Sequence, residues 1–99
     1  MLPYDLDDRA KRDLAAARDW YDRQREGVGD QFLDAAFDAI RSARERPASF
    51  PEIHRGVRTL LCKRFKYRVY FRTTGDRITV LAVYHTSRDP AQWNDPDRE

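Results

Sequence analysis

Apolar and polar residues change rhythm three times along this chain. "LPYDL", residues 2–6, alternates and predicts a short strand. Asp7 then offers an N-cap, with Asp8 favourable in the first helical turn. Ala10, Leu14, Ala17 and Tyr21, with Trp20 beside them, recur at spacings of three and four and predict a helix to about Glu26. Gly27 is the natural stop, able to take a left-handed conformation. A second helix is expected after Gly29, with Asp30 near its start. Its stripe is Phe32, Leu33, Ala36, Phe37 and Ile40, and Pro47 ends it. Arg41, Arg44 and Arg46 sit where the helix dipole favours cations. The short "GVG" link makes the two helices an antiparallel hairpin. Leu14, Trp20, Phe32, Phe37 and Ile40 are expected to be buried against a sheet.

After a loop, "ASFPEIHRG", the period becomes two. "VRTLLCKRF" begins a strand at Val57. "KYRVYFR" alternates Tyr67, Val69 and Phe71 with Lys66, Arg68, Tyr70 and Arg72. "TTGD" is a hairpin turn. "RITVLAVYH" puts Ile78, Val80, Ala82 and Tyr84 on one face and Thr79, Leu81, Val83 and His85 on the other. Both faces are largely apolar, so this strand belongs inside the sheet. The order defines an α+β fold. An N-terminal strand precedes an antiparallel two-helix hairpin, which packs on a mostly antiparallel sheet completed by three C-terminal strands. One domain over residues 1–93 and a disordered tail over 94–99 are expected. By parity, Arg68, with Arg58 or Lys63, faces away from the helices, on a surface free to meet a partner.

Composition narrows the chemistry. The 99 residues are 40% hydrophobic and 36% charged, and no run is long enough to span a bilayer. The acidic N-terminus does not read as a signal peptide, so a cytoplasmic protein without membrane contact is expected. One cysteine, Cys62, excludes an internal disulfide and reads as a buried thiol within "TLLC". Net charge is +2, yet from Ile53 to Arg88 nine bases face one acid, a local +8. Such a field attracts polyanions or an acidic protein. There is no glycine-rich phosphate loop, no Ser–His–Asp pattern and no histidine pair at ligand spacing, so neither cofactor nor metal is expected. What remains is Arg, Lys, Tyr and His85 on one sheet. These residues suit phosphodiester chemistry by charge stabilisation and proton transfer. They equally suit plain binding of nucleic acid or an acidic peptide, and spacing does not choose.

The aromatic "WY" late in the first helix, the "GVGDQF" link, "RFKYRVYF" and "VYHTSRDPAQW" together resemble the RelE/ParE superfamily of bacterial type II toxins. The resemblance covers nearly the whole chain. Lys66 stands where that family usually carries proline, which adds a cation. The resemblance implies a toxin neutralised by a cognate antitoxin, small and acidic in its toxin-binding part. RelE-like members cut messenger RNA on the ribosome; ParE-like members poison DNA gyrase. The long helical hairpin, the H-x-x-R-D-P ending and the lack of tyrosine after Tyr84 place this chain nearer the ParE side. If it is a ribonuclease, His85 is the proton-transfer candidate, with Arg64 and Arg68 on the phosphate. Target- or antitoxin-binding candidates are Arg58, Lys63, Arg64, Lys66, Arg68 and Arg88. His85 reads first as a residue packed at the sheet edge, with Arg88 bonding the chain terminus or pairing with Asp89; on the functional reading His85, Arg64, Arg68 and Arg88 form the positive centre of the free face. A non-toxic nucleic-acid- or protein-binding domain of the same fold is the remaining alternative.

Overall fold

A computed structural model describes residues 1–87. Arg88, Trp93 and the tail expected over 94–99 lie outside the described residues. The elements are β1 (Tyr4–Leu6), α1 (Asp8–Gln24), α2 (Val28–Glu45), a short 3-10 turn (Pro47–Ser49), β2 (Glu52–His54), β3 (Val57–Leu61), β4 (Tyr67–Thr74) and β5 (Arg77–His85). The sheet order is β1-β5-β4-β3-β2, with β1 parallel to β5 and every other pairing antiparallel. The expected α+β class is the observed one, and β5 is interior. The segment expected as a loop contains an additional short strand, β2.

The hairpin is set by its link. Asp7 caps α1, accepting from the Arg9 N–H at 2.9 Å. α1 ends at Gln24, two residues earlier than its periodicity suggests. Gly27 is left-handed (φ 89°), but it serves as the N-cap of α2, which begins at Val28 rather than after Gly29. Gly29 is thus a helical residue, buried against α1, and its N–H donates to Asp22 Oδ1 at 2.7 Å. A β-carbon there would meet the Arg18 carbonyl oxygen at 2.5 Å and Asp22 Oδ1 at 2.7 Å. Arg18 also reaches Asp30 at 3.2 Å, bridging the helices.

One face of the sheet packs under the helices. Leu14 and Ala17 of α1 and Phe32, Ala36 and Ile40 of α2 meet Leu60, Val69, Phe71, Ile78, Val80 and Val83. Small residues (Ala35, Ala36, Ala39, Ala43) let α2 lie close to the strands. Two expected core residues are not in it: Trp20 is 49% exposed and Phe37 39%. Each sits one step round the helix from its buried stripe, beside Tyr21 and Ala36, so bulk alone misplaced them.

The other face is not the free polar surface expected. Val57, Tyr70, Ala82 and Tyr84 form a second buried cluster, with Leu81 packed against it. The cause is a β-bulge. Tyr70 pairs with Ala82 but Phe71 with Val80, leaving Leu81 as an extra residue on β5. The alternation of β5 flips there. Ile78, Val80, Val83 and His85 share the helix side, while Ala82 and Tyr84 lie on the other.

Two substitutions test this packing. Gly29→Ala should lower stability by about 1–3 kcal/mol through overpacking, read as a lower Tm. Leu14→Asp should cost about 4 kcal/mol or more and abolish the cooperative transition, because it leaves a cavity and a buried unpaired carboxylate. A cooperatively melting Leu14→Asp protein would contradict the placement of α1.

Candidate interaction site

The expected basic residues separate into two places. Leu61 pairs with Arg68, and Arg68 with Tyr84, so Arg68 is on the face away from the helices. Arg58 is on the helix side, where it donates to the Phe50 carbonyl at 2.6 Å and pairs with Glu52 at 3.7 Å. It is a strut for the segment before β2 rather than an open cation. Lys63, Arg64 and Lys66 are exposed on the turn between β3 and β4. That turn closes through a Cys62 N–H to Tyr67 carbonyl bond of 2.8 Å. Arg64 is held left-handed (φ 68°), a strained conformation for a residue with a side chain. Phe65 anchors the turn by packing edge-on to Tyr21 and Phe32.

The first place is a groove of about 690 Å³ between α2 and β3. β2 pairs only with the start of β3, and the Thr59 N–H reaches Pro51, where that pairing ends. Beyond it, β3 has no partner strand on that side among the described residues. In the antiparallel ladder the Leu61 N–H and C=O point away from β4, to the open side. Leu61 is 52% exposed. Ala39, Leu60, Leu61 and Phe50 give the groove an apolar floor; Asp38 and the paired Arg41 and Glu45 lie on its α2 wall, and Arg46, Lys63 and Arg68 stand around it. These three cations make no ion pair among the described residues.

His85 is elsewhere. Its partner across the sheet is Tyr67, with ring centroids 5.3 Å apart, and it lies near Trp20 on the helix side. Arg68 is on the opposite face, so the His85–Arg68 centre of the functional reading does not form, and His85 packs at the end of the sheet. The imidazole also has a local partner in Ser87. Its Nδ1 accepts from the Ser87 N–H at 3.0 Å and lies 2.8 Å from Ser87 Oγ. A nitrogen that accepts keeps its lone pair there, so the neutral ring carries its proton on Nε2. In that tautomer Nε2–H is the donor and the Nδ1 lone pair faces Ser87.

Cys62 is 2% exposed, and burial pushes its thiol up to about 11. It is inert, as its apolar neighbours implied. Among the described residues no three His, Cys, Asp or Glu side chains gather where a metal could bind, and no helix is long and apolar enough to cross a membrane.

This sheet with its helical hairpin defines a known class. The family described as "ParE toxin of type II toxin-antitoxin system, parDE" matches residues 4–90, and the chain belongs to it. A chain of the chromosomal ParDE toxin–antitoxin system from P. aeruginosa superposes with a TM-score of 0.76 at 21% identity, over 86% of this chain and 96% of that one. The isolated E. coli RelE toxin superposes with 0.60 at 13% identity, over 93% and 92%. No curated protein sequence gives a significant match.

The histidine assignment is open to direct measurement. Imidazole ¹⁵N shifts in mildly alkaline solution should report His85 as the Nε2–H tautomer. An Nδ1–H ring would contradict the Ser87 contact.

Proposed function

We propose that this protein is the toxin of a type II toxin–antitoxin pair that arrests growth by poisoning DNA gyrase, and that its antitoxin binds the groove between α2 and β3. Membership of the ParE toxin family over residues 4–90 carries the reading. The place of His85 supports a poison over a nuclease. General acid–base help contributes about 10²–10⁴ in rate. Here the one imidazole near the basic turn offers a donor, and it lies across the sheet from Arg68. Arg64 and Arg68 are then contact residues rather than holders of a scissile phosphate.

The groove supports the antitoxin part of the proposal. A free strand edge invites an added strand, whose backbone would bond Leu61 while alternate side chains enter the apolar floor. Arg46, Lys63 and Arg68 favour an acidic segment. Charge of this kind speeds encounter and makes it salt-dependent. A ribosome-dependent ribonuclease remains the second reading because the RelE toxin shares the fold.

Expression of this chain alone should stop growth, and co-expression of the adjacent small gene product should relieve it. Trapped, cleaved DNA and an induced damage response with intact transcripts are the expected damage. His85→Ala should leave toxicity within a few fold. Arg68→Glu should slow antitoxin association about tenfold or more at low salt and by much less at high salt. Translation-dependent transcript cleavage that vanishes in His85→Ala would reverse the assignment and make the protein an enzyme.

A further inference from the structure

A second depression lies at the other end of the molecule, where the last turn of α1 passes the end of β5. Two adjoining hollows of about 310 and 320 Å³ share Trp20, Tyr67 and His85 as their walls. Trp20 is half exposed, which is unusual for the largest apolar side chain of a helix with a buried stripe to fill. Its edge-to-face contact with Tyr21, centroids 5.0 Å apart, holds the ring in place.

Two donors line the hollows beside this ring. Arg23 lines the first hollow, is exposed, and makes no ion pair among the described residues. The Nε2–H of His85 is left over once Nδ1 is engaged by Ser87. Carboxylates stand close by and keep their charge: Asp13, which lines the first hollow, receives the Val83 N–H at 2.9 Å, Asp22 receives the Gly29 N–H, and Asp19 pairs with Arg18. The basic turn is adjacent, because the Thr86 N–H bonds the Lys66 carbonyl at 2.7 Å. Exposed Lys66, Arg64 and Lys63 therefore continue the positive surface away from the ring.

We propose that the Trp20–Arg23–His85 depression is a binding site for single-stranded nucleic acid. A base stacks on Trp20, the next phosphate is held by Arg23 and the His85 Nε2–H, and the strand runs on toward Lys66 and Arg64. A fixed aromatic ring beside a run of cations is how unpaired strands are held without sequence reading, since every base has a stacking face. The paired hollows match a chain that alternates flat rings with charges. A duplex, with its bases already stacked, leaves Trp20 unused. An acidic peptide lacks the flat group the ring selects and finds a strand edge only at the other groove. The site extends the toxin reading without depending on it, because strand binding is measured on the isolated protein with neither antitoxin nor target present.

The protein has two tryptophans, so a Trp93→Phe background isolates the Trp20 emission. It is titrated at low salt with a single-stranded oligodeoxyadenylate of about eight nucleotides, with the same strand in a duplex, and with an oligoglutamate peptide. The single strand should quench Trp20 and bind most tightly. Trp20→Ala, followed by anisotropy of a labelled strand, should weaken binding about tenfold. Arg23→Ala should weaken it severalfold and reduce the salt slope by roughly 0.7, the share of one phosphate contact on a single strand. Lys11→Ala, on the first turn of α1, should change the slope less than Arg23→Ala. Quenching by the peptide at equal or greater affinity would overturn the assignment in favour of a peptide site. Strand binding without quenching, or unchanged in both Trp20→Ala and Arg23→Ala, would also overturn it. The titration of the parent protein decides even where a variant folds poorly.

Discussion

One extra residue in β5 determines which groups can meet. Opposite Tyr70 and Phe71 the strand carries Ala82, Leu81 and Val80, three residues against two. Leu81 therefore shifts everything after it by one position. Before the bulge, Ile78 and Val80 point under the helices; after it, Val83 and His85 do, while Ala82 and Tyr84 join Tyr70 on the far side. In a regular strand Ala82 and Tyr84 would sit under the helices, and Val83 and His85 would turn to the other face. The bulge completes two apolar clusters from one strand and puts His85 beside Tyr67.

The division of the basic segment follows from this. Its net charge of +8 reads in sequence as a single field, although the whole chain carries only +2. At contact distance it splits. Lys63 and Arg68 belong to the groove along the free edge of β3, where backbone hydrogen bonds are on offer. His85 belongs with Trp20 and Arg23, where an aromatic face is on offer. The turn carrying Arg64 and Lys66 lies between them, pinned by Phe65. On the two proposals made above, an extended acidic segment and a nucleotide strand would use different surfaces on one small protein.

Much of the fold was legible because it rests on periodicity. The α1 stripe of Ala10, Leu14 and Ala17, the Asp7 cap and the alternation of β4 all read directly from residue order. The exceptions share a cause: each depends on a neighbour that is remote in sequence. Gly29 reads as a stop signal until α1 lies against it and leaves no room for a β-carbon. Trp20 reads as core because it is large, yet a difference of one position in the helical wheel leaves it half exposed. The bulge at Leu81 has no sequence mark, since Val80, Leu81, Ala82 and Val83 are all apolar and either register would bury them. The candidate site was therefore legible in its ingredients and not in its grouping. Arg68, Lys63 and His85 were identifiable; that Arg58 braces Phe50, and that Trp20 and Arg23 accompany His85, was not.

The face on which His85 lies is the most direct test, because both surfaces are defined by it. A NOESY spectrum of the selectively protonated His85 ring measures it without any assay of function. Cross-peaks from the imidazole to the rings of Tyr67 and Trp20 are expected. Cross-peaks instead to the side chains of Arg68 and Leu61 would place His85 across the sheet, remove the bulge, and contradict the separation of the two sites.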